Sequence, residues 1–370
     1  MKKQNRVQQI LENDRDALIA MSGGVDSSVA AYLIQQQGFF VRGITFKMFN
    51  HNNFSSKEEQ NYLSINNIEE VKHVARDLGI PYLRVNCTRN FQKYVIEKFV
   101  FDYQNGATPN PCVDCNRYIK FPYLWNIAKE RGIKHIATGH YARVEYCPET
   151  GRMLLKKAFD LSKDQSYVLY TLSQEQLTHL IFPLGIYQKS KIRTIAKKLR
   201  LNNAERHDSQ DICFIPDGNY GLFIEKWIGY PPKPGYFLDQ QGKILGQHKG
   251  FFRYTIGQRR GLGIALNKPM YVLSKNLGDN TITLCDDIIN LLSFDLVATD
   301  LNWIAITKIT KPLRVKAKIR YNQIEEWAEV FPISENKIKI VFDQPQRAIA
   351  KGQAVVLYDD DTVVGGGKII

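Results

Sequence analysis

Short apolar runs and amphipathic stretches alternate along the first 140 residues. "ALIAM" (17–21), "FFVRGITF" (39–46), "PYLRVNC" (81–87) and "KHIATG" (134–139) have the length and composition of strands, while "SSVAAYLIQQQ" and "IEEVKHVARDLG" between them carry apolar residues at helical spacing. That alternation predicts βαβ units and a parallel sheet covered on both faces. A helical pattern continues from "LSQEQLTHLIFPLG" to about residue 210. After Cys213 the texture changes. "YPPKPGYFLDQQGKILGQHKGFFRYTIGQRRGLGIA" is rich in Gly and Pro with short β-prone runs, which predicts a small strand-containing module. Beyond Cys285, "LRVKAKIRYNQ", "KIKIVFD" and "AVVLYDDDTVVGGGKII" alternate and are β-branched, predicting a sandwich or barrel. The expected chain is α/β: a parallel-sheet domain over 1–215, a small central domain over 216–284 and a β-barrel over 285–370.

Composition narrows the class. Fifty Lys plus Arg against 37 Asp plus Glu leave a net charge of +13, which suits an anionic partner such as nucleic acid as well as plain solubility. The start, "MKKQNRVQQILENDRD", lacks the apolar core of a signal peptide, and no long uncharged apolar run is present. A cytoplasmic protein with no membrane partner is expected. Its six cysteines should then be mostly reduced, so that pairing among them is chemistry rather than scaffolding.

The most specific local signal is "IAMSGGVDSS" (19–28), an apolar run entering a Gly-Gly turn and then a helix. The loop leaving the carboxyl end of a parallel strand meets a helix N-terminus, where unpaired N–H groups and the dipole favour an anion. Gly23 and Gly24 let backbone approach a phosphate, and Ser22, Ser27 and Ser28 add hydroxyls. No Lys follows, so the Walker pattern is excluded, as is G-x-G-x-x-G. "SGGVDSS" instead resembles the pyrophosphate-binding loop of the ATP pyrophosphatases, enzymes that split ATP between its α- and β-phosphates and adenylate a substrate. The bland reading is a tight strand-to-helix turn.

Sulfur supplies the second signal. In "ATPNPCVDCNRYIKF" (107–121), Cys112 and Cys115 stand ahead of a helical stretch beside Arg117 and Lys120. Both the helix dipole and the cations should lower a thiol pKa there, predicting a nucleophilic sulfur. Cys213 lies in "HDSQDICFIP" (207–216). Zinc needs four ligands, and no second C-x-x-C or H-x-H pair is spaced to complete the set. An iron–sulfur cluster on Cys112, Cys115 and Cys213 stays open as an alternative. Cys87, Cys147 and Cys285 read as packing thiols.

Together with those stretches, "TGHYAR" (138–143), "LSKDQSYVLY" (161–170), "YTIGQRRGLGIA" (254–265) and "GQAVVLYDDDTVVGGGKII" (352–370) resemble the bacterial tRNA-specific 2-thiouridylases over nearly the whole chain. The resemblance implies a pyrophosphatase domain, a small central domain and a C-terminal barrel acting on the wobble uridine of certain tRNAs, with ATP as cofactor. It assigns ATP binding to Ala20, Met21, Ser22, Gly23, Gly24, Val25, Asp26 and Ser27, with Gly139 against the nucleotide and Phe46 where the family has a Met on the adenine. Asp26 is a candidate for holding Mg²⁺. Asn110, Pro111 and Cys112 fall where the family contacts the target base, Cys115 on the nucleophile and Cys213 on the persulfide carrier. His140, Lys163, Asp164, Gln165, Arg320, Tyr321 and Gln353 match positions expected at tRNA, each also readable as a solvated polar residue. Arg259 and Arg260 are further candidates for phosphate contact.

The implied chemistry explains why these parts occur together. A uridine C2 oxygen is a poor leaving group until adenylation makes it AMP. A persulfide on Cys213, delivered by a sulfur-donor or relay protein, then supplies the nucleophile, and Cys115 attacks the sulfur–sulfur bond to leave a Cys115–Cys213 disulfide for reductant to reset. The base must leave its stack to be reached. Cys112 departs from the family's Asp, so acid–base help falls to Asp114 or Asp211 or is absent, and a Cys112–Cys115 disulfide competes. Two rival classes are a related ligase using the loop on a small molecule and a non-catalytic RNA binder.

Overall fold

A computed structural model describes residues 15–49, 69–201, 204 and 212–370. The N-terminal extension, the first residue of "IEEVKHVARDLG" and the 207–211 part of the Cys213 motif, Asp211 included, lie outside the described residues. Contacts divide the chain into two compact units, the first built from residues up to 95, 112–210 and 361–364, the second from 96–111, 211–360 and 365–370.

The first unit is organised by a five-stranded parallel sheet. Its strands are β1 (Asp16–Ala20), β2 (Phe40–Lys47), β3 (Tyr82–Asn86), β4 (His135–Thr138) and, after the hairpin described below, β7 (Leu180–Ile181), in the order β3-β2-β1-β4-β7. Ala17, Leu18 and Ile19 of the central strand are buried, as a strand covered on both faces requires. The helix Val25–Gln36 turns Val29, Ala30, Leu33 and Ile34 into the same core as Ile192 and Ala196 of the helix Lys189–Lys198. Two elements depart from the expected pattern. The continuous helix expected past residue 171 stops at His179, because Leu180 becomes extended ahead of Pro183 and β7 adds a strand beside β4. An antiparallel hairpin, β5 (Arg143–Cys147) and β6 (Arg152–Lys156), also emerges, and Thr362 pairs with Lys156.

The second unit holds a four-stranded sheet and a barrel. Strands β8 (Gly235–Leu238), β9 (Ile244–His248), β10 (Tyr271–Asn276) and β11 (Thr281–Cys285) run in the order β10-β11-β8-β9 around Phe237, Tyr254, Val272 and Ile282. The barrel is closed and six-stranded: β12 (Leu292–Trp303), β15 (Lys337–Arg347), β14 (Glu326–Ser334), β13 (Leu313–Lys318), β16 (Ala354–Asp359) and β17 (Thr362–Ile369), with β17 returning to β12. Closure explains "GGG" in β17. A Cβ on Gly365 would lie 2.5 Å from the Asn302 carbonyl, and one on Gly367 would lie 2.7 Å from Leu301. The segment 96–111 is fastened to this unit: the Thr108 N–H donates to the Lys351 carbonyl at 2.7 Å, and Lys368 Nζ reaches both Asp102 oxygens at 3.1 and 3.0 Å.

Candidate nucleotide and thiol sites

The strand order places a crevice at the carboxyl edge of the sheet. β2 and β3 extend the sheet to one side of β1 and β4 to the other, so the loops after β1 and β4 part at the carboxyl edge and leave the crevice in which α/β sheets bind ligands. The loop after β1 is Met21–Gly24, and that after β4 opens with Gly139. Gly23 adopts φ +80°, a left-handed conformation natural to glycine, and Gly24 precedes the helix with no side-chain cap, which leaves the first-turn N–H groups to a ligand. The serines tighten the turn: the hydroxyls of Ser27 and Ser28 donate to the Gly24 carbonyl at 3.1 and 3.0 Å, and Ser22 N–H donates to Ser27 Oγ at 3.1 Å. A Cβ on Gly139 would stand 2.9 Å from Ser27 N, so only glycine permits the two loops to approach so closely. Asp26, in the first helical turn, accepts from the Tyr141 hydroxyl at 2.8 Å and from Lys189 Nζ at 2.7 Å on each oxygen. Phe46, near the end of β2, meets Tyr123 edge-on at 6.2 Å.

The thiol segment begins with Pro111 as the first residue of the helix Pro111–Cys115, where its missing N–H costs nothing. The chain continues through a π-helical stretch, Asn116–Lys120, into the helix Phe121–Glu130. Such stretches are uncommon and recur at functional sites. Asn116 Nδ2 donates to the Val168 carbonyl at 3.0 Å and ties the stretch to the segment after Gln165. Cys112 is exposed. Cys115 is only 6% exposed, with its sulfur 3.9 Å from Met48 Sδ. The expected fall in thiol pKa does not occur here. Burial pushes the Cys115 thiol up to about 11 despite the opposing charge of Lys120, and Cys112 shifts the same way, first through desolvation. Buried Cys87 rises to about 12 through its own desolvation and then through Cys115.

The structure distributes the other expected site residues as follows. His140 is half-buried, and burial, with Lys120 adding, holds its pKa well below the imidazole value; its Nδ1 pairs with Thr138 Oγ1 at 2.7 Å. Asp164 is buried and organises its own turn, accepting from Ala158 N–H at 2.9 Å and from Ser166 Oγ at 2.7 Å, while Gln165 Oε1 accepts from Tyr141 N–H at 2.9 Å. Lys163 ends the short helix Leu161–Lys163 and is half-buried. Asn110, Pro111, Cys213, Arg320, Tyr321 and Gln353 belong to the second unit. Cys213 is exposed in a turn. Arg320 donates to the carbonyls of Arg347 and Ala348, Lys318 Nζ lies 5.8 Å from the Tyr321 ring centroid, and Gln353 Nε2 donates to the Thr108 carbonyl at 2.7 Å. Arg259 and Arg260 are exposed. Each of the six cysteines is a thiol. Sequence reasoning missed Lys189 and the role of Tyr141. The available signal was a helix whose first turn carries lysine and no acidic residue.

Three family models cover the chain: a tRNA methyl transferase HUP domain over residues 15–217, a tRNA methyl transferase PRC-barrel domain over 222–286 and an aminomethyltransferase β-barrel domain over 293–369. A tRNA-specific 2-thiouridylase MnmA of Acetivibrio thermocellus is 47% identical over 96% of this chain and 99% of its own. The protein of the same name from Clostridioides difficile is 46% identical over 96% of this chain and 98% of its own. Among the described residues, no helix is long and apolar enough to cross a membrane.

Proposed function

We infer the reaction from a premise now in hand: this chain belongs to the tRNA-specific 2-thiouridylase family and is an enzyme of that type. ATP binds at the crevice after β1 and β4, its phosphates on the N–H groups of the loop Ser22–Gly24 and the first helical turn, with Gly139 admitting the close approach and Phe46 facing the adenine. The observation that carries this reading is the close approach of Gly139 to the Asp26 and Ser27 backbone, which any Cβ would obstruct and which brings the loops after β1 and β4 together. Attack of the uridine C2 oxygen on the α-phosphate releases pyrophosphate and leaves the base O-adenylated. Sulfur then replaces AMP at C2. Cys213 carries it as a persulfide received from a donor or relay protein, and Cys115 Sγ attacks the Cys213 sulfur, releasing the terminal sulfur to the base and leaving a disulfide for reductant. With its pKa at about 11, Cys115 is a neutral thiol in the substrate-free enzyme at pH 7 and must lose its proton during turnover. Asn110, Pro111 and Cys112 lie against the target base, and His140, Lys163, Asp164, Gln165, Arg320, Tyr321 and Gln353 against the tRNA. An enzyme of this kind works in the cytoplasm.

Mg²⁺ accompanies ATP in such reactions and screens its phosphates. The Asp26 carboxylate does not fit as its ligand, because Lys189 takes both oxygens and Tyr141 shares one. Among the described residues, no three His, Cys, Asp or Glu side chains are grouped to hold a metal ion. The test is incubation with ATP, a sulfide or persulfide source and unmodified tRNA. AMP and 2-thiouridine form, and Cys115→Ser or Cys213→Ser each lowers thiolation at least 100-fold while ATP still binds. Full thiolation by either variant overturns the two-thiol route. Iron with acid-labile sulfide in anaerobically purified protein would favour the cluster route instead.

A further inference from the structure

Lys189 stands where helix stability does not want it. It opens the helix Lys189–Lys198, whose first turn has no acidic residue, so its charge opposes the dipole there. Its side chain is only 9% exposed, and burying an ammonium is unfavourable unless a partner compensates. The partner is Asp26, 163 residues away in sequence, met at 2.7 Å on both carboxylate oxygens. The arrangement is braced: Asp160 Oδ2 accepts the Lys189 backbone N–H at 2.9 Å, the Tyr141 hydroxyl fixes Asp26 at 2.8 Å, and the Tyr141 ring centroid lies 5.6 Å from Nζ. Asp26 itself is 32% exposed in the first turn of the helix that the phosphate loop feeds. The loop's own sequence lacks the lysine that a Walker loop would supply.

We propose that Lys189 is the phosphate-binding cation of the nucleotide site, and that Asp26 is its positioning residue rather than a metal ligand. The proposal rests on the ATP reading above. Unpaired, the Asp26 carboxylate would repel an incoming triphosphate; with Lys189 on it the first turn is neutral, and the ammonium is shared with the β- and γ-phosphates when they arrive. The ligand class is therefore a polyphosphate, and pyrophosphate alone retains the contact.

Titration calorimetry on the full chain tests this with inorganic pyrophosphate, and with ATP at several Mg²⁺ concentrations. Lys189→Met is expected to weaken pyrophosphate binding at least tenfold. Asp26→Asn, whose amide oxygen still accepts from the ammonium, gives a smaller loss, and Asp26→Ala a loss close to that of Lys189→Met. Should Lys189→Met fail to fold around its unpaired carboxylate, the double variant K189M/D26N removes both charges together and is expected to melt cooperatively yet bind pyrophosphate no better than one-tenth as well as wild type. Wild-type pyrophosphate affinity in either Lys189 variant overturns the proposal. So does a Mg²⁺ dependence of ATP binding that vanishes in Asp26→Asn and persists in Lys189→Met, since the metal would then sit on Asp26. A wild-type protein that binds neither ATP nor pyrophosphate would remove the nucleotide reading itself.

Discussion

Burial ranks the thiols by reactivity. Cys112 and Cys213 are exposed, whereas Cys115, Cys87 and Cys285 are buried. Because the thiolate is the nucleophile, iodoacetamide at pH 7 should label exposed Cys213 first, with Cys115 at least tenfold slower. Peptide mass spectrometry follows each site, and the Cys115 rate should climb as pH approaches about 11, where its thiol ionises. Labelling of Cys115 ahead of Cys213 at pH 7 would contradict that environment. The same shift has a stability consequence with a definite sign. The unfolded thiol ionises near 9.0 and the folded one near about 11, so Cys115 contributes its full stabilisation below pH 9 and loses it as pH rises toward 11. A decline in melting temperature over that window, reduced in Cys115→Ala, checks it. Spacing alone revealed the Cys112–Cys115 pair. It did not reveal that one of the two is enclosed, because burial depends on Met48 and Cys87 from other segments. Lys189 was hidden for the same reason: nothing within its own helix tells that its partner lies in the first loop.

Elements built from continuous apolar runs were the readable ones. β1 to β4 sit within about two residues of the runs at 17–21, 39–46, 81–87 and 134–139; β1 and β4 at the centre are buried on both faces and read as continuous apolar runs, whereas edge strand β3 has no buried residue. The hairpin β5–β6 escaped notice because only Leu155 of its ten residues is buried, and β7 because two residues carry no period. The phosphate loop was readable as sequence, but the part of Gly139 depends on strand order: β4 must neighbour β1 before their loops can meet. That dependence yields a prediction at this scale. In Gly139→Ala the new methyl would stand 2.9 Å from Ser27 N and 3.0 Å from the Asp26 carbonyl carbon, and both are backbone atoms that cannot swing aside. Overpacking of this kind costs about 1–3 kcal/mol. Gly139→Ala should therefore lower the melting temperature and weaken ATP binding about tenfold, because relief comes only by moving the loop. Unchanged ATP affinity would separate Gly139 from the nucleotide.

At the scale of the whole chain, the net charge of +13 acquires a use in an enzyme that handles tRNA. If about six phosphates are neutralised, tRNA affinity should fall by about 10³ between 50 and 200 mM salt, and a flat salt response would show that the charge serves another end. The division into units adds a constraint that composition never shows. Residues 96–111 group with the barrel unit, so Asn110 and Pro111 belong to the unit that holds the barrel. Asp102, 8% exposed, is the anchor, and its two oxygens meet Lys368 at 3.1 and 3.0 Å and Lys98 at 3.0 Å. Lys368→Met keeps the length of the side chain but leaves a largely buried carboxylate with one fewer cation, at a cost of about 1–3 kcal/mol. Hydrogen exchange should then quicken across 96–111, and thiolation should fall several-fold while ATP affinity stays unchanged, since the phosphate loop belongs to the other unit. Wild-type protection across 96–111 in Lys368→Met would mean that the Thr108 contacts with Lys351 and Gln353 hold the segment without the charge.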